Sequence, residues 1–283
     1  MPARRRRTRA AVLLVGVCLL LPAFVAGAAA GERTVIGHSV RGRAIVAVHI
    51  AGSGPARGVA PGAALKMLVV GCIHGDETAG VAVARRLIVG GALRDTELWV
   101  VPTINPDGVA AETRGNAHGV DLNRNFSFDW AHLVGGEYSG TGPLSEPESR
   151  AARRLIQRIQ PDVTIWFHQP FGIVDRSGGD PFVERRFAQL VGLPLVRLPG
   201  RYPGSATRWQ NHAFPASTAF VVELPAAVSG ALTDRARSAI RSLASELASP
   251  AVGGATATNW VERDQAAGVD HLELDPAGAR RSR

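Results

Sequence analysis

Met67-Leu68-Val69-Val70-Gly71-Cys72-Ile73-His74-Gly75-Asp76-Glu77, running on into Thr78–Val89, is the stretch on which the fold is read. Met67–Val70 is apolar without alternation, as a strand covered on both faces must be. Gly71 starts a turn, and Thr78–Val89 carries apolar residues at helical spacing. Strand, turn and helix in that order predict one unit of a parallel sheet.

The pattern recurs outward from there. Leu98–Val101, Val163–Phe167 and Ala219–Leu224 read as further buried strands. Ser145-Glu146-Pro147-Glu148 reads as a helix start, with Ser145 as N-cap, a proline in the first turn and acids at the positive helix end. That helix runs to about Ile159, and Pro181–Val191 and Thr233–Leu247 give two more. Val35–Val40 and Ala44–Ile50, around Arg41-Gly42, resemble a hairpin. The prediction is an α/β fold: a three-layer αβα sandwich with a mainly parallel, mixed central sheet. In such folds ligands gather beyond the carboxyl ends of the strands. Pro102–Ser145, rich in Gly, Asn, Asp and Pro, is a loop long enough to need a functional reason.

The chain has 283 residues, 46% apolar and 20% charged, which excludes disordered, collagenous and multi-span membrane classes. Its formal charge of +8 is concentrated at one end. Residues 1–30 hold five of the 32 basic side chains and no acid, so the rest exceeds its 24 acids by only 3. No nucleic-acid partner is expected of so balanced a chain. Arg4, Arg5, Arg6, Arg7 and Arg9 precede an uncharged apolar run and the small residues Ala26-Gly27-Ala28-Ala29-Ala30, the layout of a secretory signal over residues 1–30. Cleavage after Ala28 or Ala30 would release a secreted or cell-envelope protein; an uncleaved membrane anchor is the alternative, with no other membrane contact expected. Of two cysteines, Cys18 lies in that segment and Cys72 is left without an internal partner. Residues 31–64 are expected to form N-terminal strands and a Gly/Pro-rich loop, 65–250 the main α/β domain, and 251–283 a polar, poorly ordered tail.

His74 and Glu77 follow the first core strand, His168 follows the Val163–Phe167 strand, and Glu223 ends the Ala219–Leu224 run. Two histidines and a glutamate suit zinc with an open fourth position. An isolated His-x-x-Glu is otherwise a capping or surface feature, and Glu223 alone could be half of a salt bridge.

The long loop adds Asn105-Pro106-Asp107-Gly108, Arg114 and Gly119-Val120-Asp121-Leu122-Asn123-Arg124-Asn125-Phe126. In this order, with His74-x-x-Glu77, His168 and Glu223, the chain resembles the zinc metallocarboxypeptidases over residues 65–247. Within them it is similar to the compact bacterial branch of murein peptide amidases, which cut the γ-D-glutamyl–diaminopimelate bond of cell-wall peptides. Tyr202-Pro203-Gly204-Ser205 upstream of Trp209 adds to that likeness.

The resemblance implies one zinc ion on His74, Glu77 and His168, with Glu223 as general base. It implies Asp121 as the carboxylate that orients a ligand histidine, and Arg114 as stabiliser of the oxyanion. Asn123 and Arg124 would grip the substrate's terminal carboxylate, and Tyr202 falls where many of these enzymes carry a capping tyrosine. Asp175 and Arg176 either meet a zwitterionic side chain or form a turn and a surface ion pair. The function expected is an exported zinc-dependent carboxypeptidase or amidase acting on a small, murein-derived peptide. Two alternatives stand beside it: a zinc deacylase of N-acyl amino acids, of the succinylglutamate desuccinylase type, and a non-catalytic cell-wall peptide-binding protein. Oligomeric state is not read from the sequence.

Overall fold

A computed structural model describes residues 31–53 and 64–249. The predicted signal, most of the Gly/Pro-rich loop and the C-terminal tail lie outside the described residues.

The core of the fold is an eight-stranded sheet. Its strands are β1 (Glu32–His38), β2 (Ala44–Ile50), β3 (Leu65–Val70), β4 (Thr96–Val101), β5 (Val163–His168), β6 (Phe171–Asp175), β7 (Leu195–Val196) and β8 (Thr218–Pro225). They lie in the order β1-β2-β4-β3-β5-β8-β6-β7. The centre, β4-β3-β5-β8, is parallel, and antiparallel pairings of β2 with β4 and of β6 with β8 flank it. The mixed, mainly parallel sheet is as expected. β5 is buried along its whole length and β8 at all but its last residue, which explains their unbroken apolar runs.

Six α-helices lie among the described residues: α1 (Ala79–Ile88), α2 (Pro106–Ala111), α3 (Pro147–Ile159), α4 (Pro181–Val191), α5 (Ala206–Ala213) and α6 (Gly230–Leu247). On one face Val83 and Leu87 of α1, Phe187 of α4 and Ile240 of α6 bury against Val69, Ile165, Phe167 and Val222. On the other, Leu155 and Ile156 of α3 and Trp209 of α5 bury against Leu68, Val70, Trp166 and Val221. The alternation of Trp166 and Phe167 between the two cores is the two-residue period of a strand. Among the described residues no helix is long and apolar enough to cross a membrane.

Three expectations need correction. The α3 N-cap is Glu146 rather than Ser145; Ser145 instead donates to Glu146 and accepts from Asn125. The long loop contains α2, whose start is capped by Asn105 through the Gly108 amide. The first hairpin strand ends at His38, because Ser39 opens the turn by accepting from Gly42 and Arg43.

Candidate metal centre and active site

Parallel register brings the carboxyl ends of β3, β5 and β8 to one edge. Val70 pairs with Trp166, and His168 pairs with Glu223. Paired residues point to the same face, so His168 and Glu223 stand side by side on the Trp166 side of the sheet. The turn after β3 delivers His74 and Glu77 to the same place. Glycine is required in that turn: a Cβ on Gly75 would lie 1.9 Å from the Gly108 carbonyl carbon of α2. Asn105 locks the turn further, donating through Nδ2 to the carbonyls of Ile73, Arg114 and Gly115.

His74, Glu77 and His168 present ligand atoms that all lie within 4.8 Å of one another. His74 Nδ1 is 2.9 Å from Glu77 Oε1 and 3.2 Å from His168 Nδ1, and His168 Nδ1 is 2.9 Å from Glu77 Oε2. The nitrogen and oxygen donors fit zinc with a position left open. Behind His74, its Nε2 bonds to Asp121 Oδ1 at 3.0 Å, which puts the proton on Nε2 and frees Nδ1 for a metal. Asp121 Oδ1 also accepts the Asn123 amide, while Oδ2 accepts Arg114 Nε and Nη2 at 3.0 and 2.8 Å. Arg114 Nη1 reaches inward to Glu77 Oε1 at 3.1 Å and His74 Nδ1 at 3.2 Å.

Burial raises the Asp121 and Glu77 carboxyls, but the histidines beside both and Arg114 beside Asp121 outweigh it, so both sit well below the carboxylate range. Glu223 goes the other way. Burial and the Glu77 charge lift it to about 7. Its Oε2 is buried and has no hydrogen-bond partner among the described residues. A buried carboxylate oxygen without a partner is costly, and its natural partner is a water or substrate group brought to the site.

Asn123 and Arg124 follow Asp121 on a 3₁₀ turn, Leu122–Arg124. Asn123 Nδ2 lies 3.5 Å from His168 Nε2, and its Oδ1 accepts the first amide of α5. Arg124 is buried, pairs with the exposed Glu137 at 2.5 Å, and lies 5.1 Å from the ring centre of Tyr202. The Tyr202 hydroxyl donates to the Pro199 carbonyl at 2.8 Å. All nine residues expected at the site therefore fall along one edge of the sheet. Cys72 is buried, donates to the His74 carbonyl, and is lifted to about 12 by burial.

Sequence reasoning missed the supports of this site. Gln169 donates its amide to Glu77 Oε2 and accepts the Ala79 amide, tying β5 to α1. Asn116 donates to Glu146 and Glu148 and accepts the His118 and Val120 amides, holding the loop between Arg114 and Asp121. The Asp-Gly of Asn105-Pro106-Asp107-Gly108 was visible, but not that Asp107 anchors the β1–β2 turn through Arg41 and Arg43.

The fold and the donor set together are those of the zinc carboxypeptidases, and the chain belongs to the zinc carboxypeptidase family. The family model matches residues 31–170. Among relatives, murein peptide amidase A of Escherichia coli K12 is 35% identical over 160 residues, covering 50% of this chain and 64% of that protein. The chain thus spans just under two thirds of that relative's length. Murein peptide amidase A of Vibrio campbellii is 31% identical over 177 residues, covering 56% of this chain and 68% of that one. Among solved structures, murein-tripeptide amidase from Escherichia coli O157 superposes with a TM-score of 0.60 at 27% identity, over 78% of this chain and 95% of that chain.

Proposed function

We propose that this chain is an exported zinc-dependent carboxypeptidase-type amidase that hydrolyses small murein-derived peptides at the γ-D-glutamyl–diaminopimelate bond. The observation that carries the hydrolase reading is Glu223: a carboxylate with one buried, unpartnered oxygen, tuned to about 7, standing beside the His-Glu-His group. The murein substrate is supported by the relatives' names, and export by the layout of residues 1–30.

His74, Glu77 and His168 would hold the zinc, which would supply Lewis-acid chemistry for activating water near neutral pH and polarising the scissile carbonyl. Glu223 would receive the proton of that water and hand it to the leaving amine. Arg114, held by Asp121, keeps a fixed positive charge at the ligand cluster, where the carbonyl oxygen becomes negative. Asn123 and the Arg124 guanidinium bind the substrate's terminal carboxylate, the planar fork matching two oxygens. Tyr202 lies over the Arg124 guanidinium, its ring centre 5.1 Å away.

The test is diaminopimelate release from L-Ala-γ-D-Glu-meso-diaminopimelate by the zinc-loaded chain and by Glu223→Gln. Release by the wild type, with a loss of about 10²–10⁴-fold in the variant and unchanged zinc content, is the expected result. Cleavage of N-acyl amino acids alone would move the reading to a deacylase. Tight peptide binding without turnover would make the chain a binding protein.

A further inference from the structure

Arg124, expected to bind the substrate's terminal carboxylate, already holds a carboxylate of this chain. Its Nη2 donates to Glu137 Oε1 at 2.5 Å and its Nη1 to the Asn123 carbonyl at 3.0 Å, while Nε is buried without a partner among the described residues. A guanidinium grips two carboxylate oxygens through one of two pairs of N–H groups, Nε with Nη2 or Nη1 with Nη2. Both pairs include Nη2, the nitrogen that Glu137 holds. A second carboxylate there would meet the first at close range, where like charges repel. The guanidinium itself has little freedom to turn away, because Arg124 is only 4% exposed and lies against the Tyr202 ring.

Glu137, by contrast, is placed to leave. Its side chain is 55% exposed, so water can take over its carboxylate at small cost. It ends a second 3₁₀ turn, Gly135–Glu137, in which no residue is buried. A Cβ on Gly135 or Gly136 would meet no heavy atom beyond its chain neighbours within 4 Å, and Val134 before them is exposed. The base of this loop is fixed instead. The buried Ser139 hydroxyl donates to the Ala131 carbonyl and accepts the Leu133 amide, the Ser139 carbonyl accepts Asn125 Nδ2, and the Tyr138 carbonyl accepts the Asp121 amide. An unpacked tip on a fixed base lets Glu137 swing away without disturbing Asp121 or Asn125.

We propose that Glu137 is an internal occupant of the carboxylate seat, an autoinhibitory contact that a substrate's terminal carboxylate displaces from Arg124 on binding. The proposal rests on the hydrolase reading and on Arg124 as that seat, but not on the murein linkage. One ion pair is exchanged for another, so Glu137 raises KM and leaves kcat unchanged, being outside the complex that reacts. The other role open to a carboxylate on Arg124, holding the guanidinium in place, has the opposite sign: neutralising it would weaken substrate binding.

The test is steady-state kinetics of the zinc-loaded full chain, wild type and Glu137→Gln, on L-Ala-γ-D-Glu-meso-diaminopimelate and on an α-linked, N-blocked dipeptide. Glutamine keeps the shape of the side chain and removes its charge. KM is expected to fall about three- to tenfold in the variant, the range between an exposed ion pair and a charged hydrogen bond, with kcat unchanged. An unchanged or raised KM overturns the proposal. Cleavage of the α-linked dipeptide alone, with the lower KM, refutes the murein linkage and leaves Glu137 assigned. Where neither peptide turns over, calorimetric titration with N-acetylalanine, which carries a free terminal carboxylate, decides: tighter binding by Glu137→Gln supports the proposal, and equal or weaker binding overturns it. The same pair is compared in an Arg124→Gln background, where Glu137→Gln is expected to have no effect because the seat is gone. A gain that persists there makes Glu137 a general repeller of anions and overturns the contact. If Arg124→Gln alone leaves carboxylate binding intact, the seat lies elsewhere, and the proposal falls together with the role of Arg124.

Discussion

Asp121 divides its two carboxylate oxygens among His74, Arg114 and the Asn123 amide, so one side chain orients a metal ligand, a cation and the carboxylate-binding turn. An amide in its place can accept on one oxygen only. Asp121→Asn should lower zinc affinity about 10–100-fold, as loss of a partner behind a ligand histidine commonly does, with competition against a chelator as the readout. Unchanged affinity would remove Asp121 from the metal's support. At this scale the spacing of His74 and Glu77 was legible because both ligands sit in one turn. Glu223 was visible as an acid inside an apolar run, where only a special partner tolerates it. The directions of Asn116 and Gln169 were not legible, since each bonds backbone or side chains far along the chain and neither type is unusual in a loop.

Among the elements, the parallel strands and the long helices were readable because burial on two faces or on one stripe imposes a pattern. β6, β7 and α5 were not. β6 has five residues, with Gly172 and the exposed Phe171 at its start, and β7 has only two, too short for any period to show. α2 was hidden in the loop because it is a six-residue helix that contains Gly108. That glycine is there for packing, since a Cβ on it would lie 2.3 Å from Asn105 Nδ2 and 2.7 Å from the Gly115 carbonyl oxygen, and α2 in turn leaves no room for a Cβ on Gly75 of the His74 turn. Gly75→Ala forces them apart. Overpacking of this kind costs about 1–3 kcal/mol, and a melting temperature lower by several degrees, together with lost zinc binding, is the expected measurement. A variant that melts and binds zinc like the wild type would show that the turn has room to move.

Across the whole molecule, stability should depend on pH through buried acids outside the metal centre. Glu184, buried at the start of α4, accepts the Gly179 amide, and burial lifts it to about 7. Its folded value lies above the ordinary one, so the folded chain holds a proton that the unfolded chain releases at lower pH. Stability from this group is complete at acid pH and is lost as pH rises from about 4.5 through about 7, by roughly 3 kcal/mol at most. Glu184→Gln should flatten that loss, seen as a smaller difference between urea midpoints at pH 5 and pH 8. An equal difference in both proteins would mean that Glu184 titrates normally. Zinc should act on the same equilibrium: at a hundredfold its Kd it adds about 2.7 kcal/mol, read as a higher melting temperature that His168→Ala abolishes.

The register of β5 against β8 has a consequence for the site. His74 and His168 are joined only when strands far apart in the chain have paired, and Glu223 arrives with a third. A slip of one residue in β8 would turn Glu223 into the opposite core, because side chains alternate strictly along a strand. A chain in which β3, β5 and β8 have not paired in this register therefore lacks the site as a unit, with His168 away from His74 and Glu223 away from both.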